Sequence, residues 1–430
     1  MRTRTRVVAS LAAAGVMAVA GCGTDVDDIT VGAGKGWPAV HHDGSNAGAS
    51  PVSGADALAL SWSRPVGGPI AQPLTIGPEG QMFVTTSTSG CSILSFQMKT
   101  GRKRFCNQLG PSTIQAPTVV DGMSNVYVGD DGAVNSFNYL GQPRWRTPVA
   151  GVPVAIQFTG DGKVLTITQS GQVDVLSRQT GGREVPTLQL LGEPDFLRFP
   201  GLTRPASGDG LDDCATGGPR CAIANTTAVD PDTGRFFVTV WEPGKPAAAL
   251  RAMRYADGKV SQEWNAEMLV GGSATSPTLS ADGDTVYIGD NSGRLIAVNA
   301  EDGTTRWTHP LGWTPSGGIS VVGDQIVPAG DDGYLTALRD TGESAEIVWE
   351  RKDLALRGTP AQTTGGLGYA VAAIGAGLNL ITFDTTTGET VDSDHLPDAT
   401  GTIAGISLGP EGEVVVATRL GEVFTFKPEV

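Results

Sequence analysis

A large aromatic recurs along this chain at a nearly fixed interval. Trp62, Phe105 and Trp145 are spaced by 43 and 40 residues, and Trp264, Trp307 and Trp349 by 43 and 42. A period of that length marks a repeat architecture, in which each unit buries its apolar face only against its neighbours. From Phe105 onward each aromatic follows a turn ending in glycine: Lys99-Thr100-Gly101, Leu140-Gly141, Asp257-Gly258, Asp302-Gly303, Thr341-Gly342. The plainest unit, Ser276 to Pro310, reads as four short strands and three tight turns. Asp282-Gly283, Asn291-Ser292-Gly293 and Asp302-Gly303 supply the turn chemistry. Alternation predicts Val286, Ile288, Leu295, Ala297 and Trp307 at inward-facing positions.

Eight such units centre on residues 71–106, 115–146, 153–186, 222–265, 275–308, 317–350, 358–392 and 402–427. In the third and seventh, Val185 and Val391 replace the aromatic. The eighth stops after three strands, at Phe424-Thr425-Phe426, and the missing fourth is available at the other end, at Leu60-Ser61-Trp62-Ser63. Pairing the two ends closes a ring and removes the free strand edge of an open array. The expected fold is therefore all-β: an eight-bladed β-propeller of four-stranded blades over residues 37–430, closed by an N-terminal strand. An open solenoid is disfavoured by that strand from the far end. Sixty glycines, 27 prolines and 40 % hydrophobic residues suit a turn-rich all-β chain.

Residues 1–21 read as a secretory leader, with Arg2, Arg4 and Arg6 ahead of an apolar core from Val7 to Ala20. That core is too short and too small in volume for a transmembrane span. Val19-Ala20-Gly21-Cys22 has the form of a lipobox, whose cysteine is acylated and becomes the mature N-terminus; the alternative is an ordinary leader that happens to carry a cysteine. Several acyl chains on Cys22 would give stable anchoring. Residues 22–36 are polar and glycine-rich and read as a flexible tether. The expected location is extracytoplasmic, on the outer face of the cell membrane or the periplasmic side of an outer membrane.

Four cysteines remain, an even number that suits an oxidising compartment. Of the three possible pairings, local geometry prefers Cys91–Cys106, across a hairpin turning near Met98 to Gly101, and Cys214–Cys221, across a short glycine-rich loop. Four free buried thiols are the alternative. The chain holds 45 acidic and 30 basic residues, a net −15 that falls to −18 without the three leader arginines. Such charge argues against nucleic acid and against a peripheral grip on anionic lipid.

The unit's xVYIGxxxGxLxAxxxxxGxxxW pattern resembles the repeat of the pyrroloquinoline-quinone (PQQ)-like β-propellers, and Trp37-Pro38 with His41-His42-Asp43 looks like that superfamily's lead-in segment. The resemblance covers residues 37–430 and speaks for fold rather than function. The superfamily holds quinone dehydrogenases and also cofactor-free repeat lipoproteins, including a subunit of the outer-membrane barrel-assembly machine. The dehydrogenases imply two adjacent cysteines over the quinone, a tryptophan beneath it, calcium held by carboxylates and amides, and an aspartate base. No two cysteines are adjacent here. No cofactor, metal site or catalytic residue is assigned, and the chain is read as a non-enzyme. Adjacent His41 and His42 would point to opposite sides of an extended chain and so read as structural.

One departure from the repeat stands out. An insertion, residues 191–221, joins the third unit to the fourth and carries Arg204, Asp209, Asp212, Asp213 and Arg220. The lengthened loop Glu242 to Ala247 and Trp313-Thr314-Pro315 should emerge on the same face of a propeller. Long loops on one face of a rigid scaffold are where propellers bind, and residues 203–221 read as dispensable for folding. The expected function is a monomeric, lipid-anchored scaffold for an envelope protein, with Arg204, Asp209, Asp212, Asp213, Arg220 and Trp313 on the partner face. The alternatives are a small-ligand or quinone-binding protein using the central channel and a purely structural module.

Overall fold

The computed structural model describes residues 35–192, 211–331 and 333–429. Eight blades of four antiparallel strands follow one another around a ring, the seventh extended by the parallel strand Ala49–Ser50. The channel-side strand of each, in order, is Thr75–Ile76, Thr118–Val120, Pro153–Phe158, Ile223–Val229, Thr278–Leu279, Ser320–Val322, Ala361–Thr363 and Ile403–Leu408. We call the sheets blades 1 to 8. Blade 8 takes its first three strands from Ile403–Leu408, Val414–Thr418 and Glu422–Pro428, and its fourth from Leu58–Pro65. That last pair is antiparallel, with Leu60 opposite Phe426 and Ser63 opposite Phe424. The ring thus closes as the truncated eighth repeat requires.

Sequence and packing agree on why the middle strands run nearly continuously apolar. Each blade is covered on both faces by its neighbours, so both sets of alternating side chains are buried. In blade 5, Thr285–Asp290 is buried at every position. This corrects one expectation. Val286 and Ile288 lie opposite Val298 and Ile296 and pack towards blade 4. Leu295, Ala297 and Trp307 lie with Tyr287 on the other side and pack towards blade 6. Directly opposed residues of antiparallel strands share a face, so the five residues divide between two interfaces.

The recurring aromatics seal those interfaces. Trp145 Nε1 donates to the Arg178 carbonyl at 2.9 Å, Trp264 Nε1 to Ala300 at 3.0 Å and Trp349 Nε1 to Thr385 at 2.8 Å. Each acceptor lies in the turn between the third and fourth strands of the next blade. The glycine ending that turn leaves room for the ring: a Cβ on Gly181, Gly303 or Gly388 would sit 2.6 Å from Trp145, Trp264 or Trp349. Phe105 packs on Gly141 in the same way, and Trp62 on Gly101. The glycines preceding Phe105, Trp145 and Trp307 in sequence therefore serve the aromatic of the blade before, whereas Gly258 and Gly342, preceding Trp264 and Trp349, have nothing over them.

A lead-in strap, residues 37–50, crosses the end of the channel where the first strands finish. Its backbone pairs in turn with Ile76, Val120, Val229, Leu279, Val321 and Gln362, which belong to blades 1, 2, 4, 5, 6 and 7. Blade 3 joins through Gln157, whose Nε2 donates to the Asp43 carbonyl and to Asn46 Oδ1, each at 3.2 Å. His41 Nε2 and Ser276 Oγ are 3.0 Å apart, whereas His42 packs edge-on against Trp37. The two imidazoles meet different partners, though not through an extended chain: Ala39 pairs with His42 across a tight turn, and His42 has a φ of 77°.

Candidate functional site

The two ends of the channel differ. At the strap end it is closed. At the other end the connections between blades surround a mouth, and beneath it lies a cavity of about 290 Å³. Gln72, Gln115, Asn225, Ser276, Thr359 and Arg419 are among its walls, with His41 of the strap at its floor. Burial holds the His41 imidazole down at about 4, against the weaker pull of Asp43 in the other direction, so the floor is neutral at physiological pH.

The insertion ends on this mouth. Leu211–Thr216 is a one-and-a-half-turn helix tied by the Cys214–Cys221 disulfide to the first strand of blade 4. Cys214, Ala215 and Thr216 line the cavity. Asp213 and Arg220 face each other: Arg220 Nη2 donates to Oδ1 at 2.8 Å, and its Nε and backbone N–H to Oδ2, each at 3.0 Å. The guanidinium beside Asp213 holds its carboxyl below the usual carboxylate range. Asp212 is exposed. Arg204 and Asp209, like Cys22, lie outside the described residues.

Trp313 is joined to this helix across the face. Asn291 Nδ2 donates to the Thr216 carbonyl at 2.8 Å, and Gly293, in the same turn of blade 5, abuts the Trp313 backbone. The Trp313 ring is half-buried over Gly330 and Gly333 and meets Tyr334 edge-on at 6.3 Å. Asp212, Asp213, Arg220 and Trp313 thus share the looped face, along a line running from blades 3 and 4 to blades 5 and 6.

The structure differs from the sequence reading on whether the insertion is dispensable. Leu211, Cys214 and Cys221 are buried in the core shared by blades 3 and 4, beside Val185, Leu190, Ile223 and Phe236. Their removal would open that interface. Sequence reasoning also passed over Arg251, which is buried in the strand Ala247–Ala256. Its Nη1 donates to the Leu190 carbonyl at 2.9 Å, its Nε to Asn265 at 2.9 Å, and its Nη2 reaches Glu242. It fastens the lengthened loop of blade 4 to the root of the insertion. A lone arginine in an apolar strand, AAALRAM, was the available signal.

Both preferred disulfides are present, Cys91–Cys106 and Cys214–Cys221. The hairpin register is offset from the expected one: Cys106 lies opposite Leu94, and Cys91 folds back from just before its strand. Among the described residues no cluster of three histidine, cysteine or acidic side chains could hold a metal. No described helix is long and apolar enough to cross a membrane. The described cavity lining does not fit a pyrroloquinoline quinone, because no tryptophan, tyrosine or phenylalanine is there to stack on its rings and Asp331 is the sole carboxylate.

Eight blades, the strand-swapped closure and the aromatic-on-glycine seals define a PQQ-like β-propeller repeat protein, and the chain belongs to that family. It is 36 % identical over 418 residues to "Protein Rv3035" of Mycobacterium tuberculosis (strain ATCC 25618 / H37Rv), spanning 95 % of this chain and 100 % of that one. Residues 224–426 match the family model described as outer membrane protein assembly factor BamB. Among solved structures, BamB from Moraxella catarrhalis superposes with a TM-score of 0.59 at 16 % identity, over 86 % of this chain and 100 % of that one. Quinohemoprotein alcohol dehydrogenase from Comamonas testosteroni gives 0.60 at 15 %, over 93 % and 82 %. At such identity these two likenesses speak for the fold alone.

Proposed function

We propose that this chain is a lipid-anchored, extracytoplasmic scaffold that binds an envelope protein through its looped face, without catalysis. The observation carrying this reading is the continuity of that face. A disulfide-tied helix, the Thr216–Asn291 contact and the Trp313 connection form one held surface spanning four blades. Preorganised loops lose little entropy on binding, which favours protein recognition on a rigid ring. The match to the BamB family supports a protein-binding role, and two disulfides suit an oxidising compartment. The anchor rests on the Val19-Ala20-Gly21-Cys22 motif.

A second reading uses the mouth cavity for a small neutral or weakly polar ligand, favoured by its hydroxyl and amide walls. One experiment separates the two. A photo-crosslinking side chain is placed at Asp212 and at Thr314, both exposed on the looped face, in the native envelope. A single dominant protein adduct from both positions is expected. No protein adduct from a folded, membrane-retained chain would overturn the scaffold reading in favour of the cavity.

A further inference from the structure

The closed face carries a feature that the scaffold reading does not use. Met123, in the first turn of blade 2, is 61 % exposed, and Tyr139 and Leu140, in its last turn, are 47 % and 49 % exposed. Met123 and Tyr139 line one open groove of about 510 Å³ with Arg104 of blade 1. Arg104 belongs to an exposed run, Arg102-Lys103-Arg104, at the closed-face end of the outer strand of blade 1. Nearby Lys99 is engaged by Glu411 at 2.8 Å, whereas the side chains of these three make no ion pair among the described residues. Glu79 is the single carboxylate of the described groove lining.

The tether enters beside this patch. Trp37 pairs with Ile76, and Gly36 lies against the carbonyls of Ile76 and Gly77. Gly77 in turn abuts Ser124, the residue after Met123. A glycine-rich tether of the length from Cys22 to Gly36, as composition predicts, would span roughly 20 Å. That keeps this edge near the bilayer, where even a weak patch is held at high effective concentration.

We infer that the blade 1–2 edge of the closed face is a membrane-contact surface. Met123, Tyr139 and Leu140 enter the headgroup region of the bilayer holding the anchor, and Arg102, Lys103 and Arg104 meet its anionic lipids. This rests on the reading of Cys22 as an acylated anchor. The whole-chain charge of −15 does not describe this edge, because screening confines lipid attraction to charges within about 10 Å of the surface. Aromatic and apolar tips beside basic side chains suit a bilayer interface better than a folded partner. The orientation turns the looped face and the channel mouth away from the membrane.

The test uses the full chain purified from its native membrane and reconstituted into vesicles, of phosphatidylcholine alone or mixed with phosphatidylglycerol. A photo-crosslinking side chain is placed at Met123, at Tyr139, or at Thr216 on the opposite face. The expected result is lipid adducts several-fold more abundant from Met123 and Tyr139 than from Thr216, and most abundant in the anionic vesicles. Combined Arg102→Glu, Lys103→Glu and Arg104→Glu changes, all at exposed positions, should remove the anionic excess without moving the melting temperature. Intact-mass measurement at Cys22 separates the failures. A chain without acylation, lost from the vesicles, overturns the anchor reading and this proposal with it. An acylated, retained chain with equal adducts from all three positions overturns the membrane-contact surface alone.

Discussion

The interface between blades 5 and 6 and the interface between blades 7 and 8 solve one packing problem by different means. At the first, Trp307 reaches the next blade and its Nε1 donates to Asp340 Oδ1 at 2.8 Å, while Tyr287 bonds the same carboxylate through Oδ2 at 2.7 Å. At the second, the register corrects the sequence reading: Asp392 lies opposite Thr382 as Trp307 lies opposite Ala297, and Val391 is the bulge residue beside it, 47 % exposed and sealing nothing. The cause lies in the chain path. The aromatic needs a turn between the third and fourth strands of the following blade. Blade 8 has no such turn, since those strands come from opposite ends of the chain. There the seam is made by the arriving N-terminal segment instead. Tyr369 Oη and the Ala55 backbone exchange hydrogen bonds at 2.7 and 2.8 Å, and the Leu58 N–H donates to Asp392 at 2.9 Å. The interface of blades 3 and 4 is the other exception. Val185 is buried, and Leu211, Cys214 and Cys221 of the insertion supply the missing bulk. A repeat protein can thus drop its sealing residue where other chain takes its place.

The contrast is broken most severely at Trp307. Trp307→Ala should cost about 3–5 kcal/mol through the cavity it leaves and the hydrogen bond Asp340 loses, read from chemical denaturation. Val391→Ala, at the exposed bulge of the matching strand in blade 7, should stay within about 0.5 kcal/mol. Comparable losses at the two sites would mean that the aromatic is not what seals the ring.

A smaller effect separates two glycines that differ only in what lies over them. Gly303 and Gly342 both end the third turn of their blades in the left-handed region, with φ of 74° and 91°. A side chain on Gly303 would press into the Trp264 ring, whereas one on Gly342 meets nothing within 4 Å, because Trp307 bonds the Asp340 side chain and not a turn carbonyl. Gly342→Ala should therefore cost only the backbone strain, about 1–2 kcal/mol. Gly303→Ala adds overpacking, for about 2–4 kcal/mol in all. Equal melting shifts would show that the turn conformation alone fixes these glycines.

These same residues mark how far the sequence could be read. The aromatic period, the glycine turns and the missing eighth-blade strand are local and periodic, so blade number, closure and the two disulfides are legible in it. Which blade each aromatic serves is not, because the glycine beside it in sequence either belongs to a contact made by the blade before, as at Gly141 and Gly303, or meets no ring, as at Gly342. The division of Val286 and Leu295 between two interfaces depends on cross-strand register, which alternation along one strand does not specify. The looped face was legible as a cluster of long connections, whereas the Asp213–Arg220 pairing and the burial of Cys221 required the folded chain. The strap's passage under seven blades left no sign in its composition.

The smallest expected effect lies at the seam without an aromatic. Asp394 is on the outer strand of blade 7, beside Asp392 and near Glu429, the residue that follows Glu422–Pro428, the third strand of blade 8. Burial, then those two carboxylates, push its carboxyl up from 3.8 to about 6. A raised acid favours the folded state while it holds its proton. Its contribution is complete below the unfolded value of 3.8 and is lost as the pH rises through about 6. At neutral pH the ring therefore carries an unfavourable carboxylate at the seam where its two chain ends meet. Asp394→Asn keeps the shape and removes the charge. It should raise the melting temperature at about pH 8 and leave it unchanged at about pH 4, where the wild-type group is already neutral in the fold. An equal shift at both values would assign the effect to amide packing, and a loss at the higher pH would mean that the carboxylate holds the seam together.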